Sequence, residues 1–108
     1  RKYVNGYFGK YDLLLSPSLA VPAFDIGDEP DVIGGKQVPH RLWGFTPFTY
    51  LFNLTGNPGA SAPAGFSSDG LPIGLQIVGD MKDEVSVLAA SAALEEARPW
   101  ADKRPPVS

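Results

Sequence analysis

Helices packed on a small β-sheet, an α/β arrangement, are predicted by three features of the 108-residue chain. Residues 46–56 carry a helix signal, residues 60–78 read as two strands joined by a turn, and residues 84–98 read as a longer amphipathic helix. The first two lie in one stretch, FTPFTYLFNLTGNPGASAPAGFSSDGLPIGLQIVG (residues 45–79), and the rest of the chain is arranged around it.

Thr46 followed by Pro47 reads as a helix start, because a threonine oxygen can accept from a free first-turn N–H and proline has no N–H to leave unpaired. Gly56 is the matching stop. Phe48, Leu51, Phe52 and Thr55 recur at i, i+3, i+4 and i+7 and predict one buried face, beside a polar face of Thr49, Tyr50 and Asn53. Ser67-Ser68-Asp69-Gly70 reads as a hairpin loop with Gly70 free to take positive φ. In the return strand Leu71, Ile73, Leu75 and Ile77 alternate with Pro72, Gly74, Gln76 and Val78, so one face is core and the other is crowded or lined. Gln76, polar within that strand, is expected to make a structural hydrogen bond to a neighbouring loop rather than to contact a ligand.

Upstream, Tyr3, Val4, Tyr7, Phe8 and Tyr11 form an aromatic stripe in residues 1–10, which predicts the tail of a helix with that stripe in the core. Residues 12–16 read as a buried strand, ended by Pro17, whose run Leu13-Leu14-Leu15 needs cover on both faces that a chain of this size is not expected to supply in full. From 17 to 43 the prolines, glycines and acids predict a long loop, with a small hairpin over residues 32–38 turning at Gly34-Gly35. Downstream, Asp83 reads as an N-cap. The helix after it is expected to bury Val85, Leu88, Ala89 and Ala92, widened by Val87 and Leu94. Pro99 stops it, Trp100 folds back onto the domain, and residues 101–108 form a fraying tail.

The composition excludes several classes. Net charge is −3 and the nine basic residues are scattered, so there is no electrostatic footprint for nucleic acid. With no cysteine, disulfides and thiolate metal sites are out. Asp25, Asp28, Glu29 and Asp31 match no calcium loop and read as a solvated acidic stretch, so no metal is expected. No apolar run approaches the roughly 20 residues of a membrane span, and a cytoplasmic protein is the default. His40, the sole histidine, has no partner at a telling distance.

Two segments carry a family resemblance. FNLTGNPGASAPAGFSSDGLPIGLQIVGD (residues 52–80) and YDLLLSPSLAVPAF (residues 11–24) resemble the C-terminal signature of the amidase signature family, serine amidohydrolases with a Ser, cis-Ser, Lys triad. The resemblance covers most of residues 11–105. It implies the C-terminal part of an α/β/α fold with a mixed β-sheet flanked by helices. On this reading residues 1–108 are one incomplete domain, completed by the remainder of the amidase domain, and a homodimer is compatible with it. The implied function is hydrolysis of a small-molecule carboxylic amide to acid and ammonia or amine, without a cofactor.

The family's Gly-Gly-Ser-Ser-Gly type signature and its catalytic lysine segment have no counterpart here, so no catalytic residue is assigned and the chain alone is expected to be inactive. By the same resemblance Trp43, Phe45, Thr46, Thr49 and Tyr50 are expected to line the acyl side of the substrate. The alternative is that the aromatics are core and Thr46 is only a cap. In relatives that serve as the A subunit of a glutamine-dependent tRNA amidotransferase, an aspartate near this helix start grips the glutamine amino group; here the best-matching position is Thr46. The preferred expectation is therefore a stand-alone amidase for neutral or aromatic amides. The alternatives are a non-catalytic binding module on the same scaffold and the amidotransferase subunit.

Overall fold

The computed structural model of the chain describes residues 2–105. In chain order its elements are α1 (Lys2–Phe8), β1 (Leu13–Pro17), β2 (Val32–Ile33), β3 (Lys36–Gln37), α2 (Arg41–Gly44), α3 (Tyr50–Thr55), β4 (Gly59–Phe66), β5 (Pro72–Gly79) and α4 (Glu84–Ala97). Arg1 and residues 106–108, parts of the expected first helix and fraying tail, lie outside the described residues.

β5 is the middle strand of a three-stranded sheet ordered β1-β5-β4, and both pairings are antiparallel. No parallel pair of the expected mixed sheet lies among the described residues. The β4–β5 hairpin closes as predicted: Gly70 has φ 79°, its N–H donates to Ser67 O, and the Ser67 N–H donates to Leu71 O. β2 and β3 form the small separate hairpin, with Gly34 at φ 58° and Gly35 at φ 76°. Two successive positive φ values are what a tight turn matched to strand twist requires.

The main buried cluster lies on one face of the sheet, while the fully buried Val78 turns to the other. Ala62, Ile77 and Val87 are buried together, and Leu13, Ala60, Leu75, Ala90, Leu94 and Trp100 pack around them. Asp83 caps α4 as expected, its Oδ1 accepting from the Ser86 N–H at 3.2 Å. The helix docks through the predicted widening residues Val87 and Leu94 rather than through the predicted main stripe. Val87, Ala90 and Leu94 meet the sheet, while Val85, Leu88, Ala89 and Ala92 stay exposed, Val85 at 76% and Leu88 at 65%. Both stripes have helical spacing, and Gly79 decides between them. A Cβ there would lie 2.8 Å from Val87 Cγ2 and 3.0 Å from Asp83 O, so only a bare strand end lets Val87 seat.

Two further expectations are corrected. The aromatic stripe of α1 is not core: Tyr3 and Tyr11 are exposed, and no residue of α1 is buried. Tyr7 instead stacks at 4.7 Å on Tyr11 and donates its hydroxyl to Leu13 O at 3.2 Å. β1 is left, as expected, without full cover among the described residues: it is an edge strand, and Leu15 is 58% exposed. The Thr46–Pro47 start is displaced, because Thr46 Oγ1 donates back to Trp43 O at 3.2 Å and the helix begins only at Tyr50. Its end is as predicted, with Gly56 at φ 83° and its N–H bonded to Phe52 O. Phe52 and Thr55 are buried as expected, whereas Leu51 is exposed.

The chain exposes 7947 Å² of surface, against about 5,800 Å² for a folded monomer of its mass. Its radius of gyration is 15.5 Å, against about 13 Å for a compact chain of this length. Apolar side chains on β1 and the outer face of α4 account for part of the excess, since nothing among the described residues covers them.

Gly79→Ala is expected to lower stability by about 1–3 kcal/mol through overpacking. Urea unfolding of the protein carrying the substitution checks this; an unchanged midpoint would show that α4 does not depend on the gap.

Candidate functional site

The sheet face turned away from α4 carries the polar residues. Along β5 the side chains of Gly74, Gln76 and Val78 alternate to that face, opposite Pro63, Ser61 and Gly59 of β4 and, for Gln76 and Val78, Ser16 and Leu14 of β1. Buried Gln76 uses both amide hydrogens: Nε2 donates to Ser16 Oγ at 3.0 Å and to Phe48 O at 2.9 Å. It is the structural tie expected from the sequence. The second bond holds the lead-in to α3 against the sheet.

That tie positions the predicted substrate-lining residues, which divide into two groups. Trp43 at the end of α2 and Tyr50 at the start of α3 come together with Asn53 and Leu54 around an open cleft of about 420 Å³. Trp43 is 61% and Tyr50 43% exposed, so neither ring is buried by the described residues. Phe45, Thr46 and Thr49 are not in this lining. The Phe45 ring packs edge-on against Phe24 at 5.0 Å, and its carbonyl accepts from the Ala20 N–H at 3.0 Å. Thr46 and Thr49 spend their hydroxyl protons on Trp43 O and Thr46 O. These three hold the turn that presents Trp43 and Tyr50.

α2 was not apparent in the sequence, since Pro39 and the loop composition around it mask a four-residue helical turn. It is set by a close approach, for a Cβ on Gly44 would fall 2.7 Å from the Val38 side chain. An aromatic cleft with one phenol and one amide can take an apolar group and orient it through hydrogen bonds.

A second cleft, of about 400 Å³, opens between the segment after β1 and the start of β5. At its base Ser18 Oγ and Ser61 Oγ lie 2.6 Å apart over Gly74. This juxtaposition was missed at the level of sequence, where the two serines stand 43 residues apart. The available signal was a glycine inside a strand, which marks close approach.

Among the described residues no serine hydroxyl bonds to a lysine, histidine or carboxylate. His40 is exposed at the N-cap of α2 with no side-chain cap bond. No group of three or more metal-ligating side chains converges among the described residues, and none of their helices is long and apolar enough to cross a membrane.

Comparison with known proteins gives a consistent result. The family model described as Amidase matches residues 1–88. The chain is 39% identical over 100 residues to an acylamidase of Rhodococcus erythropolis, covering 92% of this chain and 21% of the relative. It is 42% identical over 100 residues to the A subunit of the glutamyl-tRNA(Gln) amidotransferase of a Synechococcus strain, covering 93% and 18%. Among solved structures, a bacterial aryl acylamidase of the amidase signature enzymes superposes with a TM-score of 0.84 at 42% identity, over 96% of this chain and 23% of that one. The chain thus spans about a fifth of the length of the relatives it matches.

Replacing Gln76 by leucine leaves Phe48 O without its donor, and amide exchange over residues 49–53 is expected to accelerate about tenfold. Exchange followed by mass spectrometry reads this directly; unaltered rates would detach α3 from the Gln76 tie.

Proposed function

Because the chain belongs to the amidase family, we propose that it forms the sheet and substrate-pocket wall of a cytoplasmic enzyme that hydrolyses a carboxylic amide to the acid and ammonia or an amine. The joint likeness in sequence and fold to an aryl acylamidase carries this reading. Hydrolysis needs a nucleophile, a base and oxyanion donors. Among the described residues no serine hydroxyl is paired with a base, and this reading places the reactive groups in the remainder of the enzyme, which the relatives possess over the other four-fifths of their length.

In this reading Trp43 and Tyr50 contact the substrate, and Phe45, Thr46 and Thr49 border it by fixing the turn between α2 and α3. The wall carries no charge, which suits a neutral aryl or alkyl group. A second reading, the amidotransferase component, is favoured by the comparable identity to one such chain. Against it stands Thr46, which offers a glutamine ammonium no carboxylate.

In the full-length enzyme Trp43→Ala and Tyr50→Ala are each expected to raise KM for an aryl amide about tenfold with little change in kcat. Unchanged constants across aryl and alkyl amides would remove the wall. The isolated 108 residues are expected to show no amide turnover, and serine-reagent-sensitive activity in them would overturn the assignment of the reactive groups elsewhere. Glutaminase activity in the whole protein would favour the amidotransferase reading.

A further inference from the structure

The cleft over Gly74 shares no lining residue with the aromatic one. We infer that Ser61 is the hydrogen-bond donor of a second small-molecule subsite, one that takes the acceptor oxygen of a neutral, largely apolar ligand. The assignment begins with the proton between the two serines. Ser18 is buried and its N–H already donates to Gly74 O at 2.9 Å. Its hydroxyl has Ser61 Oγ as its sole hydrogen-bond partner among the described residues.

If Ser61 donated to Ser18, the Ser18 proton would be buried without an acceptor, an arrangement folded proteins avoid. Ser18 therefore donates, and the exposed Ser61 accepts with its own proton unclaimed among the described residues. Accepting one bond strengthens the donor character of the same hydroxyl. Gly74 makes the pair feasible: a Cβ there would fall 2.6 Å from Ser61 Oγ and 2.7 Å from Ser18 Oγ.

The walls set the ligand class. Leu19, Val21, Pro22, Pro72 and Ile73 are apolar, and Leu19 and Ile73 remain exposed, so an aliphatic group covering them gains by burial. No ionisable side chain lines the cleft, and an ion entering it would lose water without gaining a partner. A single neutral donor at the base of such walls suits a carbonyl oxygen on a short hydrocarbon. The volume of about 400 Å³ is in the range of small-ligand sites.

The inference does not rest on amide hydrolysis, and its test reads binding alone. Full-length protein with isotope-labelled glycine is titrated with methyl butyl ketone, hexanoate and hexylammonium, following the Gly74 amide signal identified by its loss in Gly74→Ala. The ketone is expected to shift that signal saturably, with a Kd about tenfold higher in Ser61→Ala and restored in Ser61→Thr. Hexanoate and hexylammonium are expected to bind at least about tenfold more weakly. Trp43→Ala is expected to leave the titration unchanged. A silent Gly74 signal, a Kd indifferent to Ser61→Ala, equal binding of either ion or a dependence on Trp43 would each overturn the subsite.

Discussion

The buried amide of Gln76 is the constraint on which the rest of the arrangement depends. It sits on the middle strand and joins three segments distant in sequence: β5 itself, Ser16 of β1 and the backbone at Phe48. A buried amide that lost either partner would carry the desolvation cost of an unpaired donor, so the two bonds specify position more than they add net stability. Because Phe48 O is fixed, so is the turn leading into α3, and with it the relative placement of Trp43 and Tyr50. A single side chain thus connects the sheet to the wall proposed to meet substrate.

Glycine performs the complementary task of permitting contact. Gly79 clears room for Val87, Gly44 for Val38 and Gly74 for the Ser18–Ser61 pair. In each case the space where a Cβ would stand is already filled, so the restriction is steric and needs no unusual backbone angle at these positions. Two of the three gaps are on β5. That strand can consequently be approached closely from both faces, by a helix on one and by a hydroxyl pair on the other.

The exposed apolar residues fit the family membership. An edge strand with Leu15 outward and a helix with Val85 and Leu88 outward have surface of the kind that a larger layered domain covers. The relatives are about five times the length of this chain. The amidase assignment and the small core of the 108 residues are therefore consistent with one another.

Local signals were sufficient where the physics is local. Gly70 and the Gly34-Gly35 pair determined their turns through positive φ, Asp83 capped α4 through a bond three residues on, and Gly56 ended α3. The motifs of residues 11–24 and 52–80 determined the family. Tertiary structure decided everything that turned on a choice between equivalent local options. α4 has two apolar stripes of the same period, and only the gap at Gly79 selects Val87. Thr46 could have capped α3, but its hydroxyl found Trp43 O first. Ser18 and Ser61 acquire their relationship solely because β5 brings their segments to the same glycine. Burial and hydrogen-bond partnership are properties of what surrounds a residue, and a linear order of side chains does not contain the surroundings.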